Sequence, residues 1–591
     1  MNGSLIYEPK VSGESRPPHT TARRPSVVRQ AAVAYWAEAL CCLLLLLMAV
    51  NFLIVIQRKS ITVDEAKHIP AGYHHLVHGN FRINNEHPPL VKMLAALPLV
   101  LLVGPVAPAP QAQPTLFTTD YTEEITWPFW KANTERFETI SFWSRVPMIA
   151  LTLLLGALIF IYARRLFGPR AALFAVALFS FEPTVLAHGR VVQTDVPAAL
   201  GYLLFFFALH TYGAAPTTGR ALFLGLAGGL ALLTKFSMIV IVPVLAVATL
   251  ALIVVAPRRG WRRTRLAAQL LGAALVAVAV INAAYYFQRR PLEPADVKFI
   301  ASQSTARRNE VMLGFRVVSK IVPTDFLYGI YWQIVHSRGG HSASLLGDYS
   351  RTGWWYYFPV AFALKTTLAF ALLSAAALVW AAWRLLARRE KYLLVLVVPL
   401  ALYTALIMTS KINIGIRYFL PAFPFLFILS GAFLDRLLRL KRARSAGLAL
   451  AVLALCWVGV ESVRAYPHYM SYMNQLAWQH PRWYYLSDSN VEWGDDVREL
   501  ALYLRARGET KVRARFLGGW GRLEHYGVEY VDLLPPPAAP LPETRYIAIG
   551  ASYLNGSTVP LEDGQNYFAE YRRRTPEKVF GNSIYLYRAK E

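Results

Sequence analysis

The chain has 591 residues, 55% of them hydrophobic and 16% charged, with a positive mean hydropathy and a net charge of +25. That balance excludes an ordinary soluble enzyme and describes a polytopic membrane protein. Lys and Arg stand in short clusters between apolar runs, as in cytoplasmic membrane loops, so the charge calls for no nucleic-acid partner.

Residues 1–37 are polar, carry Arg16, Arg23, Arg24 and Arg29, and read as a disordered cytoplasmic N-terminus. The apolar run Ala39 to Ile56 is too long for a signal-peptide core and lacks a small-residue cleavage site, so it reads as an uncleaved anchor. A spanning helix needs about 20 mostly apolar residues. Eleven spans are expected, at 38–57, 143–163, 171–187, 195–213, 220–234, 236–256, 266–286, 358–383, 392–409, 418–436 and 446–465. With this count the clusters around Arg164, Arg220, Arg258, Arg384 and Arg436 all fall on the cytoplasmic side. Leu90 to Val106 is also apolar, but Pro88, Pro89, Pro98 and Pro105 bracket or interrupt it, which favours an interfacial or re-entrant helix. Gly225, Gly228 and Gly229 read as small residues in helix packing. Cys41, Cys42 and Cys456 lie in apolar runs and imply neither disulfide nor metal site.

The transmembrane region is thus 38–465, with long loops at 58–142 and 287–357 on the outer face of the cell inner or plasma membrane. The tail 466–591 alternates β-type runs (Val512 to Leu517, Tyr546 to Ala551, Ile584 to Tyr587) with the helix-like Asp495 to Arg507, and reads as an extracytoplasmic α/β domain.

The chemistry-bearing residues gather at outer boundaries. Asp64 and Glu65 follow the first span, where ionised carboxylates are cheap to keep. If Asp64 to Val77 is helical, Asp64, His68 and His75 share one face at i, i+4 and i+11. A divalent cation would suit that trio, but the spacing is not the HExxH of a zinc helix, and no cofactor or metal ligand is assigned. Asn85-Glu86-His87-Pro88-Pro89 adds a carboxylate and a rigid bend. Asp195, in HGRVVQTD, either caps the following helix or pairs with Arg190. Lys235, Lys365, Lys411 and Arg417 are isolated cations at outer ends of spans, the side that the positive-inside rule leaves poor; a bound anion explains them. Phosphate is that anion, because no nucleotide-binding loop is present and a lipid-linked phosphate fits a groove between helices. A sugar on a lipid phosphate already has a good leaving group, so the enzyme needs cations for the phosphate and one carboxylate for the acceptor proton. Asp64 is the expected base, and Lys235, Arg417 and His87 are the expected clamp. The acidic run Asp488, Asn490, Glu492, Asp495 and Asp496 lacks the glycine position and distal Glu of a calcium loop, and reads as a helix-capping loop.

These residues resemble the polyprenyl-phosphate-dependent glycosyltransferases with the glycosyltransferase-C fold, among them protein O-mannosyltransferases and aminoarabinose transferases. The similarity rests on DEAKHIPAGYHHL with NEHPPLVKMLAALPL, on EPTVLAHGRVVQTD, LTKFS, GWWYYFPVAFALKT and NIGIRYFLP, and on PHYMSYMNQLA with YYLSDSNVEWGDDVRELA. It implies that Asp64 is the acidic loop residue, Glu86 the second loop carboxylate and Lys235 the phosphate-contacting lysine. Aminoarabinose transferases have a lysine where this sequence has His87, and a neutral imidazole binds phosphate less firmly. The expected protein is a polytopic α-helical glycosyltransferase acting outside the cytoplasm with inversion. Catalytic residues are sought among Asp64, Glu65, Glu86 and Asp195, with His68, His75 and Lys365 lining the substrate loop. Its partners are a polyprenyl-phosphate sugar, a protein, lipid or glycan acceptor, and membrane lipids. The alternatives are a secondary transporter, a lipid flippase or a lipid-linked oligosaccharide ligase. A transporter would place coupling carboxylates near the bilayer midplane.

Overall fold

The computed structural model of the protein describes residues 27–108, 125–255, 260–304, 307–518, 522–534, 543–557 and 568–589. The expected disordered terminus lies outside them as far as residue 26; helix α1, Val27–Ile56, starts ahead of the expected boundary at 38.

After α1 come α2 (Val63–His78) and α3 (Pro89–Pro98), then α4 (Trp127–Ala132), α5 (Phe137–Phe167), α6 (Pro169–Phe181), α7 (Pro183–His188), α8 (Asp195–Ala214), α9 (Thr218–Thr234), α10 (Ile241–Val255) and α11 (Gly260–Ala284). Three connecting helices follow, α12 (Pro294–Gln303), α13 (Arg308–Val318) and α14 (Thr324–Gly339), and a hairpin of β1 (Ala343–Leu345) and β2 (Asp348–Ser350). The bundle is completed by α15 (Tyr357–Lys365), α16 (Leu368–Ala387), α17 (Leu394–Met408), α18 (Phe423–Arg439) and α19 (Arg444–Ala465).

Among the described residues eight helices are long and apolar enough to cross a membrane, within α1, α5, α8, α11, α16, α17, α18 and α19. The spans expected at 171–187, 220–234 and 236–256 are occupied by shorter apolar helices. The first of these stops at Phe181, because Pro183 pushes Glu182 into extended backbone. The span expected at 358–383 is likewise two helices, parted at Thr366 and Thr367. Helix α3 continues as a π-type turn to Val103 and ends at the left-handed Gly104. At 1.5 Å per residue its 15 residues reach about 22 Å, short of a hydrocarbon core of about 30 Å.

Lipid tails are as apolar as leucine, so packing rather than hydrophobicity holds such helices together. The centre is α18, buried along most of its length, with Phe427 stacked on Phe370 of α16 at 4.5 Å between rings. A Cβ added at Gly225 would come within 2.2 Å of the Ala273 carbonyl, so the glycine lets α9 meet α11.

Beyond α19 the chain forms a small α/β unit. It contains α20 (Arg482–Tyr485), α21 (Val497–Arg505), β3 (Lys511–Arg515), β4 (Glu529–Asp532), β5 (Tyr546–Gly550), α22 (Ala551–Leu554), α23 (Ala569–Arg573), β6 (Lys578–Phe580) and β7 (Ile584–Arg588). The sheet order is β4-β3-β5-β7-β6, with β3 parallel to β4 and β5 and the other pairs antiparallel. The expected strands appear; β4 and β6, too short for a clear alternation, did not declare themselves in the sequence. The Pro-rich stretch 535–542 lies outside the described residues. Helix α21 buries Val497, Leu500, Ala501 and Leu504, an i, i+3, i+4, i+7 face.

The two parts are stitched together beside α2. Ser60 N donates to Asp495 O and Val63 N to Trp493 O, both at 2.9 Å. The Lys59 ammonium is held by Asp496, by Glu499 at 2.9 Å and by His468 at 2.6 Å.

Candidate active site

Helix α2 starts with a capping box: Thr62 Oγ1 accepts from Glu65 N at 3.3 Å, and Glu65 Oε2 accepts from Thr62 N at 2.7 Å. The adjacent carboxylates then part company, since successive helical residues point about 100° apart. Glu65 turns toward α5, where Arg145 grips it through Nε and Nη2, both at 2.7 Å, and Val192 N donates to it at 3.0 Å. Arg145 also reaches the carbonyls of Ile56, Lys59 and Ser60. With both oxygens engaged and fully buried, Glu65 anchors the loop.

Asp64 turns the other way and accepts from Arg417 Nη1 at 2.7 Å. Arg417 belongs to the 3-10 turn Ile416–Ala422, and the same Nη1 lies 3.6 Å from Asp195 Oδ2. Asp195, at the start of α8, holds the ammonium of Lys235, which itself sits 3.9 Å over the Tyr418 ring. Lys235 is in extended backbone between α9 and the 3-10 turn Phe236–Val240, so its side chain leaves the helix end sideways. The result is an alternating string, Asp64–Arg417–Asp195–Lys235, drawn from three distant parts of the chain.

Glu86, His87 and His68 complete this wall. The His68 and His87 rings meet edge to face at 5.5 Å, and His68 Nδ1 is 3.1 Å from Val192 O. Among the described residues Glu86 has no ion pair, and the buried His87 Nδ1 has no hydrogen-bond partner. The loop that carries them is held by the buried Lys92, whose ammonium donates to the carbonyls of Asn84 at 2.5 Å and His87 at 3.0 Å.

Burial pushes the Asp64 carboxyl up, but the Arg417 guanidinium outweighs it and holds the group below its ordinary value. Glu86 lacks such a partner, and burial leaves it above its ordinary value. Burial pulls His68 down to about 4 and His87 well below its ordinary value, so both imidazoles are neutral at pH 7.

Two expected residues stand apart. His75 stacks on Phe81 at 5.4 Å, with Nδ1 2.7 Å from Asn80 O. The Lys365 ammonium is spent on Met470 O at 2.7 Å and Asn490 O at 2.5 Å, so it ties α15 to the tail. The acidic run is spent on structural bonds: within the tail Glu492 accepts from Leu517 N at 2.5 Å and Ser552 N at 2.7 Å, and Asp495 accepts from Arg190 of the bundle at 3.1 Å. His468, Asp496 and Glu499 have the closeness of a metal triad, but the Lys59 ammonium stands among them and supplies the positive charge.

Sequence reasoning missed what positions Arg417. Ser489 Oγ accepts from Arg417 Nε at 3.0 Å and donates to Ile414 O at 2.6 Å, while the Trp493 ring lies 4.2 Å from the guanidinium carbon. A Cβ at Gly415 would fall 2.3 Å from Ser489 Oγ, so only glycine permits this approach. The available signal was the run SDSNVEW, where a polar loop encloses a tryptophan.

Residues 133–286 match the family pattern of dolichyl-phosphate-mannose-protein mannosyltransferases. No curated protein matches the chain. Among solved structures, the Saccharomyces cerevisiae protein O-mannosyltransferase Pmt1–Pmt2 complex bound to its sugar donor is 10% identical with a TM-score of 0.51, covering 84% of this chain and 96% of that one. ArnT from Cupriavidus metallidurans bound to undecaprenyl phosphate is 14% identical with a TM-score of 0.47, covering 92% and 97%. An Archaeoglobus fulgidus oligosaccharyltransferase is 12% identical with a TM-score of 0.44, covering 86% and 68%. The likeness to the mannosyltransferase complex establishes the fold. The chain therefore has the glycosyltransferase-C fold, and its residues 133–286 carry the mannosyltransferase family pattern.

Proposed function

We propose that this multi-pass membrane protein is a glycosyltransferase that moves a sugar from a polyprenyl-phosphate donor to an acceptor hydroxyl on the extracytoplasmic face. The observation that carries the reading is the shared guanidinium of Arg417, 2.7 Å from Asp64 and 3.6 Å from Asp195. A donor phosphate arriving between Lys235 and Arg417 takes over charge that the two carboxylates now neutralise. Asp64, relieved of its arginine, regains basicity beside the acceptor.

The step is a single displacement. The acceptor oxygen attacks the anomeric carbon, the bond from that carbon to the phosphate oxygen breaks, the electron pair leaves with polyprenyl phosphate, and the acceptor proton passes to Asp64. Lys235 and Arg417 stabilise the departing phosphate, and no strong acid is required. Attack without a covalent enzyme intermediate inverts the anomeric centre. Glu86, which has no ion pair among the described residues, accepts a hydrogen bond from a substrate hydroxyl, and His87, kept neutral, donates one.

The test is transfer by the purified chain in detergent, supplied with polyprenyl-phosphate sugars and a membrane extract as acceptor. Transfer that requires Asp64 supports the reading; no transfer by the native chain, or full transfer by Asp64→Asn, overturns it.

A further inference from the structure

Between α2, α4 and the sheet domain lies a cavity of about 190 Å³, walled by Trp127, Trp130, Phe516 and Tyr553 and carrying two cations, Lys67 and Arg522. It is separate from the Asp64–Arg417 string but adjoins it, since Lys67 stands one turn along α2 from Asp64 and is the cation that acts most strongly on Glu86.

Arg522 is the residue to explain. Its exposure is 7%, and Nη1 donates to Ile61 O at 2.9 Å. Among the described residues no carboxylate pairs with it. The carboxylate that acts on it most strongly, Glu65, has both oxygens taken by Arg145 and backbone amides. The guanidinium is nonetheless built in: a Cβ at Gly518, whose φ is +73°, would lie 2.2 Å from Nη1. A buried cation without a counter-charge is expensive, and one that opens on a cavity is satisfied by a ligand. Trp130 Nε1 donates to Ala66 O at 2.9 Å, and His525 stacks on Phe137 at 4.3 Å and is held neutral by burial, with its pKa pulled down to about 4. An engineered cavity of about 150 Å³ admits benzene, so this one takes a single ring with a small charged group.

We propose that this cavity is the acceptor subsite, and that it binds an acceptor whose ring carries a phosphate or carboxylate, the anion on Arg522 and Lys67 and the ring between the aromatic walls. The proposal rests on the glycosyltransferase reading and narrows its acceptor to an anionic one. Lys67 links the two sites by placing the anion within one helical turn of the base.

Phenyl phosphate is the probe, titrated calorimetrically into the full chain in nanodiscs after saturation with undecaprenyl phosphate, which fills the site at Lys235 and Arg417. Saturable binding is expected, at least tenfold weaker in Arg522→Gln and weaker in Lys67→Glu. Neutral phenyl glucoside should bind at least tenfold less tightly. Equal binding by Arg522→Gln, or a preference for the glucoside, overturns the proposal; if Arg522→Gln fails to fold, Lys67→Glu decides alone. Arg522-dependent binding in a chain that takes up no undecaprenyl phosphate overturns the donor reading and upholds the cavity, whereas donor uptake with no Arg522 dependence does the reverse. The glycosylated species absent from cells lacking the gene should be retained on an anion exchanger; a neutral species overturns the proposal.

Discussion

Arg417 donates to Asp64 across 353 residues of chain, at 2.7 Å, with its guanidinium laid on the Trp493 ring. The candidate base and the candidate phosphate ligand are therefore partners until the donor separates them, and removing either side should change the other.

Asp64→Asn is expected to lower kcat by about 10²–10⁴, the range for loss of a general base. Donor affinity should hold or rise, because Arg417 loses its competing anion. Turnover and undecaprenyl phosphate binding, measured on the same preparation, check the split; a variant that binds donor tenfold more weakly contradicts the arrangement.

Arg417→Lys should behave almost as badly as Arg417→Gln. Lysine keeps the charge but loses the bond to Ser489 and the flat contact with Trp493. A charge-assisted hydrogen bond contributes about 1.5–3 kcal/mol, so the donor Kd should rise about 10- to 100-fold. Full rescue by lysine would show that Arg417 acts as a point charge alone.

Arg145→Met should destabilise by about 3–5 kcal/mol, because it leaves Glu65 charged and buried. The double variant Arg145→Met with Glu65→Leu should recover part of that loss. Thermal unfolding in one detergent measures both. A double variant no more stable than the single one would mean that the carbonyl contacts of Arg145 dominate.

Stability should respond to pH through Glu86 and Asp64 in opposite senses. The folded pKa of Glu86 lies above its unfolded value, so its ionised form destabilises the fold at neutral pH and the penalty fades as pH falls through the folded value. Glu86→Gln should therefore raise Tm at neutral pH by about 2–4 °C, with the gain shrinking on acidification. The folded pKa of Asp64 is depressed, so its contribution is present above the unfolded value near 3.9 and is lost as pH falls through the lower folded one. A Glu86→Gln gain that stays constant from neutral to mildly acidic pH would contradict the assignment.

Apolar run length, the basic clusters and the Thr62 capping box are local properties, and they determined the helical membrane class, the start of α2 and the placing of Asp64 and His68 on one face. Lys235 and Lys365 show where such reading ends. Each is a lone cation at the end of an apolar run, yet one meets a carboxylate and an aromatic ring while the other is consumed by two carbonyls. Asp64 and Glu65 repeat the lesson one residue apart, since the helix sets the angle between them but says nothing of what stands opposite. That depended on Arg145, Arg417 and Ser489 arriving from remote segments, because a side chain's charge partner is chosen by packing between elements and carries no signature in its own neighbourhood.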